Sequence, residues 1–302
     1  MDPAISTSWE KFKGLIFHCF PHHLLSRATF WLTRQRLPYL EKLIKLFIHH
    51  FKVDMRDAEI EDLSDFNTFN EFFTRKLKSD VRPIDEGDKC IVSPCDGKIS
   101  MFGEINHHTL LQAKGKTFTL NEFLTPQCKH LDQFIQGSYY TIYLSPRDYH
   151  RIHAAYAGQL LEMIYVPGRL FSVAPYAPKA IDKLYARNER VISIFKTEGG
   201  YMAITMVGAV NVAAIEMSWE GLITPPHLNT VVHYNYQDRS ISLQKGEEMG
   251  VFNMGSTIVM MFSKDYASAT QQLRVEQPIK MGETIATRNS QRSDAMNLTS
   301  QN

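Results

Sequence analysis

Three short segments of this chain hold residue types that can do chemistry. Ser145-Pro-Arg-Asp-Tyr-His-Arg-Ile-His153 carries two histidines three residues apart. His150 and His153 could ligate a metal or share acid–base work, and a helix or turn there would put both rings on one side. The plainer role for such a pair is capping and core hydrogen bonding. Ser93-Pro-Cys-Asp-Gly-Lys-Ile99 carries Asp96. An Asp-Gly step between strand-like runs is first of all a turn. Asp96 could instead orient a histidine, as the acid of a nucleophile–base–acid arrangement does. In the third segment, Gly255-Ser-Thr257 stands immediately before the apolar run Thr257–Phe262. Gly255 lacks a Cβ, so another group can approach its carbonyl closely, and the Ser256 hydroxyl could attack it. Taken alone, the tripeptide is equally a glycine turn entering a strand.

The surrounding elements must position these residues. Leu40, Leu43, Ile44, Phe47 and Phe51 form a helical stripe, with Glu41, Lys42, Lys45 and His49 on the other side. Trp9, Phe12, Ile16 and Phe20 repeat the spacing before Pro21. A further helix is expected from Asp65 or Asn67 through Phe69, Phe72, Phe73 and Leu77, with Glu71 near its N-terminus. After Pro83 short apolar, β-branched runs alternate with Gly, Pro and Asp. They are Ile91–Val92, Lys98–Phe102, Tyr139–Leu144, Val191–Thr197, Tyr201–Ile215, Val231–Tyr236, Ser240–Leu243 and Thr257–Phe262. Tyr201–Ile215 is too short to cross a bilayer as a helix, and it reads as one bent strand or two buried ones, with Gly208 suited to a bulge. The expected fold is α+β, with N-terminal amphipathic helices followed by a β-rich catalytic domain of mainly antiparallel strands. Residues 1–80 form the helical, membrane-associating region, 81–287 the β-rich domain, and 288–302 a polar tail.

Composition narrows the function classes. In 302 residues, 33 Lys and Arg balance 32 Asp and Glu, so binding to nucleic acid through bulk charge is not expected. A 44% hydrophobic content excludes a disordered chain, and a mean hydropathy of −0.25 excludes a polytopic membrane protein. Four cysteines without a CxxC pair point to reduced thiols rather than a disulfide framework or a thiolate zinc site. The N-terminus lacks the charge pattern of a signal peptide. The balance hides an asymmetry: residues 1–50 hold seven Lys and Arg against three acids, a net +4. Basic helices with an aromatic face suit an anionic lipid surface, and the same stripe suits packing on a downstream domain.

In order and spacing the motifs resemble the bacterial-type phosphatidylserine decarboxylases. The resemblance is carried by Phe69-Asn-Glu-Phe-Phe-Thr-Arg-Lys-Leu77, Ser93-Pro-Cys-Asp-Gly97, Tyr149-His-Arg-Ile-His153 and Gly168-Arg-Leu-Phe-Ser-Val173. It continues through Ala186-Arg-Asn-Glu-Arg190, Gly208-Ala209, Ile223-Thr-Pro-Pro226, Lys245-Gly-Glu-Glu-Met-Gly250 and Met254-Gly-Ser-Thr257. It covers nearly all of residues 50–285. Met254 stands where that branch usually has Leu, a volume-conserving change, and Arg169 stands where an acid is common.

The resemblance implies a proenzyme that cuts itself between Gly255 and Ser256, giving a large β chain of 1–255 and a small α chain of 256–302. It implies that Ser256 attacks the Gly255 carbonyl, with His153 as base and Asp96 orienting it. The ester then eliminates to dehydroalanine, which rearranges and loses ammonia to leave an N-terminal pyruvoyl group. That covalent cofactor is an electron sink for loss of CO₂ from phosphatidylserine through a Schiff base, so no dissociable cofactor and no metal are expected. His150 is the implied proton donor, and Ser172 an implied contact for the substrate carboxylate or phosphate. A lipid substrate raises the weight of the membrane reading for the N-terminal helices, peripheral and on the cytoplasmic face of the cell membrane. A further homodimer is implied by the family. Two other readings compete. Asp96-Gly-Lys-Ile99 and Lys245-Gly-Glu-Glu-Met-Gly250 also resemble lipoyl-type carrier modules, which would keep the Gly255–Ser256 bond. A metal-dependent hydrolase built on His150 and His153 lacks an evident third ligand.

Overall fold

The computed structural model describes residues 22–113, 115–209, 214–253 and 256–289. The stripe Trp9, Phe12, Ile16 and Phe20, the residue Gly255 and positions 290–302 of the tail lie outside the described residues. Two helices come first, α1 (His22–Leu32) and α2 (Leu40–Phe51). Lys52 closes α2 in the left-handed conformation, its amide bonded to the Ile48 carbonyl. The next helix, α3 (Phe69–Phe73), is shorter than the sequence implies and starts from a different residue. Thr68 caps it by accepting the Glu71 amide, while the Glu71 carboxylate takes the Asn67 amide. Leu40, Ile44, Val53, Phe66, Phe69, Phe72 and Phe73 bury one another in a small core of their own.

The strands that follow are short. In chain order they are β1 (Cys90–Val92), β2 (Gly97–Glu104), β3 (Thr109–Ala113), β4 (Lys116–Thr119), β5 (Ser138–Leu144) and β6 (Arg151–His153). Next come β7 (Gly158–Val166), β8 (Arg190–Thr197), β9 (Gly200–Val207), β10 (Ile215–Met217), β11 (Gly221–Thr224) and β12 (Val232–Asn235). The last are β13 (Ser242–Leu243), β14 (Glu248–Phe252), β15 (Ser256–Phe262), β16 (Ala267–Ala269), β17 (Pro278–Ile279) and β18 (Thr284–Arg288). Every pairing among these strands is antiparallel. The fold is therefore α+β, with helices preceding a β-rich domain.

The largest sheet runs β12-β7-β8-β9-β15-β5-β2-β17, with β13 also on β7. Its centre is buried on both faces, since all seven residues of β15 are buried. That explains the apolar character of the run at 201–215, which is interrupted at Asn211 and places residues 201–207 in β9 of this sheet and Ile215 at the start of β10 in a separate four-stranded sheet. Gly208 forms no bulge. It follows β9, donating its amide to the Glu189 carbonyl and accepting Asn188 Nδ2. The polar tail starts later than expected, because β18 takes in Arg288 and pairs with β1 and β16.

Candidate active site

Ser256 opens β15, directly opposite Leu144 of β5. It is fully buried, and its Oγ has no hydrogen-bond partner among the described residues. An orphaned buried hydroxyl is costly as structure, which favours a chemical role. The segment just upstream is pinned. Phe252 donates its amide to the His150 carbonyl, and Asn253 donates its amide to Ala214. β14, which ends at Phe252, belongs to the four-stranded sheet, and β15, which starts at Ser256, to the large one.

His150 and His153 do not share a face. His150 lies just before β6 and His153 ends it, and the two rings have different partners. The His150 ring packs 4.2 Å from the Phe73 ring, and its Nδ1 lies 2.8 Å from the Asp148 carbonyl. A carbonyl only accepts, so Nδ1 carries the proton. Burial pulls the His150 pKa down to about 3, with the Asp148 carbonyl opposing and the Arg75 charge adding to the shift. The imidazole is neutral and its buried Nε2 is a bare acceptor. To serve as a donor, His150 must first gain a proton at Nε2.

His153 is held at both nitrogens. Nδ1 donates to the Gly246 carbonyl at 2.8 Å, and Nε2 accepts the Tyr149 hydroxyl at 3.0 Å. Burial lowers its pKa, against the Gly246 carbonyl and the Glu248 charge, so it too is a neutral base near pH 7. Asp96 makes no hydrogen bond to it. The Asp96 carboxylate is instead gripped by Arg82, with Nη2 at 2.6 Å and Nε at 2.9 Å, and accepts the Met281 amide at 2.9 Å. Asp96 acts on His153 through space, favouring its charged form. The expected orienting hydrogen bond is replaced by the Gly246 carbonyl. Burial opposes the charge on Arg82, but the bonds to Asp96 and Asp57 outweigh it and raise its pKa.

The strand register explains the placement. Asp96 sits in the turn between β1 and β2, and Gly97 follows because a Cβ there would meet the Tyr143 carbonyl at 2.5 Å. The segment after α3 is built into the same site. Arg75 donates to the Arg147 carbonyl, and Arg151 Nε donates to the Thr74 carbonyl.

A cleft of about 330 Å³ lies beside Gly97, Arg147 and Asp148, lined also by His50, Phe51, Lys52, Lys98 and Tyr143, whereas Ser256, His150 and His153 line neither it nor the space next to it. An adjoining space of about 260 Å³ shares Lys52, Gly97, Arg147, Asp148 and Pro278 with it and adds Arg75, Arg82, Asp96, Tyr149 and Lys280. Its five Lys and Arg side chains are nearly balanced by Asp54, Asp57, Asp96 and Asp148. Ser172 does not line either space. It accepts the Ala174 amide, and Pro175 of the same loop reaches the cleft. Tyr149, Arg82, Arg75 and Phe73 were not singled out from sequence. Tyr149 and the Phe73-Thr-Arg75 run lie inside quoted motifs, whereas nothing local marks Arg82.

A family model described as phosphatidylserine decarboxylase matches residues 69–287, and a second, described as PSD, matches 12–52. The chain belongs to the phosphatidylserine decarboxylase family. It is 44% identical over 272 residues to a phosphatidylserine decarboxylase proenzyme of Stutzerimonas stutzeri, covering 89% of this chain and 91% of the relative. It is 46% identical over 262 residues to one of Alkalilimnicola ehrlichii, covering 86% and 91%. The Vibrio cholerae proenzyme shares 43% over 281 residues, covering 92% and 99%. The activity of this family is pyruvoyl-dependent conversion of phosphatidylserine to phosphatidylethanolamine and CO₂. Among the described residues, no helix is long and apolar enough to cross a membrane.

Proposed function

We propose that this chain is a self-cleaving, membrane-surface phosphatidylserine decarboxylase in which Ser256 becomes the pyruvoyl group. The observation that carries this is the buried, partnerless Ser256 Oγ at the first residue of β15. The seat fits the group: Ser256 is fully buried, and its side chain makes no hydrogen bond that would be lost. In place, a pyruvoyl group supplies the electron sink for loss of CO₂. The chain's residues do the rest. His153 holds the base function, its Nε2 reached through Tyr149. Asp96 and Arg82 set the field around it. His150 offers a bare, fully buried Nε2, suited to taking a proton and returning it. Lys52, Lys98 and Arg147, which line the cleft, are the side chains that would hold the phosphate, and Ser172, which lines neither space, is not among them.

The proposed cut leaves a stable heterodimer. The small chain contributes β15 through β18, and large-chain strands hold three of them: β15 lies between β5 and β9, β17 on β2, and β18 on β1. The homodimer is carried over from the family. The proposed division at residue 80 is functional rather than physical, since residues 73–82 reach into the site.

The first two helices support docking on a bilayer. Leu40 and Ile44 face the small core, but Leu43 and Leu46 of the same helix are exposed, as are Leu24, Trp31, Leu32 and Tyr39. Tyr39, Leu43 and Leu46 fall on one helical side, flanked by Lys42 and Lys45. The stripe thus serves both roles, its two edges facing different partners. Lys52 at the end of α2 opens onto the cleft, so a docked headgroup has a short path inward. We place this surface on the cytoplasmic face. The test is CO₂ release from vesicles of phosphatidylserine labelled at the serine carboxyl, with co-sedimentation read in parallel. Wild type is expected to bind and decarboxylate. Leu43→Glu with Leu46→Glu is expected to lose vesicle binding by at least tenfold, while the uncut fraction stays unchanged. Unimpaired binding by that variant excludes the docking surface, and no labelled CO₂ from wild type excludes the activity.

The pH dependence of self-cleavage tests the His153–Tyr149 pair. The base works when neutral, so the rate falls as pH drops through its lowered pKa. In Tyr149→Phe the hydroxyl no longer stabilises neutral His153, and its pKa rises. The acid limb of the cleavage profile is expected to move to higher pH, and Tm to fall by the equivalent of about 1–3 kcal/mol. An unmoved limb removes His153 from the base role.

A further inference from the structure

Three side chains that line neither space of the candidate active site meet elsewhere in the structure. His23 comes from the first turn of α1, Glu189 from the residue before β8, and His227 from the loop between β11 and β12. One ligand atom of each lies within 4.8 Å of those of the other two. The two imidazole rings are 4.7 Å apart, centre to centre, and tilted by 50°. The His227 and Glu189 side chains are only 4% and 2% exposed.

The hydrogen bonds fix the tautomers. His227 Nδ1 lies 2.9 Å from both Glu189 oxygens, so it carries a proton and donates it. Its Nε2 is buried and has no partner. The His23 ring bonds the Gly168 backbone, while its Nδ1 is buried and has no partner. The bond to Gly168 therefore runs through Nε2. Each imidazole has one nitrogen held by an oxygen acceptor and the other left as a buried lone pair. Metal-binding histidines have this pattern, in which an outer carboxylate or carbonyl orients the ring and raises its basicity. Tyr165 adds a third layer, its hydroxyl bonded to Glu189 Oε1 at 2.5 Å.

We propose that His23 and His227 bind a divalent transition-metal ion of the zinc type, with Glu189 holding His227 in its ligating tautomer. Imidazole pairs select such ions over calcium or magnesium, which prefer oxygen. Water completes the coordination. The Glu189 carboxylate favours positive charge at His23, and Arg169 opposes it. The ion clasps α1, with its exposed Leu24, Trp31 and Leu32, onto the β-domain. It would fix the angle at which the lipid-facing helix leaves the catalytic body. Its role is structural and separate from the reaction at Ser256.

The test uses the full-length protein after chelator treatment. Titration with Co²⁺, read by its visible absorption, is expected to saturate at one ion per chain, with Zn²⁺ displacing it. His23→Ala and His227→Ala are each expected to weaken binding at least tenfold, and Glu189→Gln by roughly 10–100-fold. Hydrogen exchange over residues 22–33 is expected to slow on adding Zn²⁺ to wild type and not to His227→Ala. His23 sits on a partly exposed helix, so His23→Ala keeps the test usable if His227→Ala folds poorly. Two results overturn the proposal. One is the absence of saturable Co²⁺ binding, which leaves the two lone pairs to a shared proton or a water. The other is equal binding by wild type and both histidine variants.

Discussion

Ser256→Ala is expected to yield an uncut chain with no decarboxylase activity and undiminished stability. The substitution removes the only atom that can attack the Gly255 carbonyl in this account, and with it the source of the pyruvoyl group. The structural cost should be nil. Ser256 is buried in β15, and its Oγ makes no hydrogen bond among the described residues. Deleting an unsatisfied buried hydroxyl removes a desolvation penalty of about 1–3 kcal/mol rather than a contact. Tm should therefore equal or exceed that of the uncut wild-type chain, while labelled CO₂ release falls to background. Intact activity in the variant contradicts the role of Ser256. A large fall in Tm contradicts the structural reading of its environment.

Arg82→Ala is expected to do the opposite to stability. Arg82 and Asp96 are about 9% and 10% exposed, and they form a close, two-point ion pair extended to Asp57. Removing the guanidinium leaves the Asp96 carboxylate buried with the Met281 amide as its remaining donor. Breaking a buried pair from one side costs about 3–5 kcal/mol. For a chain of this size that is a Tm drop of roughly 10 °C. Self-cleavage should slow as well, because the carboxylate facing His153 loses its position. The double variant Arg82→Ala, Asp96→Asn carries no orphaned charge. It should recover much of the stability and none of the cleavage rate. If the single variant melts within 2 °C of wild type, roughly the effect of 1 kcal/mol or less, Arg82 does not hold Asp96.

The strand-rich half was legible where apolar runs were bounded by turn residues. Lys98–Phe102, Tyr139–Leu144, Val191–Thr197 and Thr257–Phe262 all lie within β2, β5, β8 and β15. β7 was missed although it forms nine residues of the main sheet. Its Gln-Leu-Leu-Glu-Met stretch has helix-like composition, and Glu162 looks like a surface residue. The fold buries Glu162 by giving it His130 and His233 as partners, a pairing across 32 and 71 residues. No local pattern announces that. The same limit applies at the site. The motif positions were readable, but the partners were not. Asp96 finds Arg82 rather than His153, and His153 finds Gly246 and Tyr149. The expectation of a shared histidine face assumed a helix or turn, whereas pairing with β14 extends the segment. α2 illustrates a different ambiguity. Its apolar residues outnumber what one buried face can hold, so packing and exposure divide them.

The most direct measurement is the intact mass of the purified protein under denaturing conditions. Cleavage between Gly255 and Ser256 predicts two species, residues 1–255 and residues 256–302. It further predicts that the small chain is lighter by one ammonia than its sequence requires and carries no free N-terminal amine. A single species at the full 302-residue mass from a preparation that releases CO₂ from phosphatidylserine would contradict the account. So would a small chain that retains its N-terminal serine.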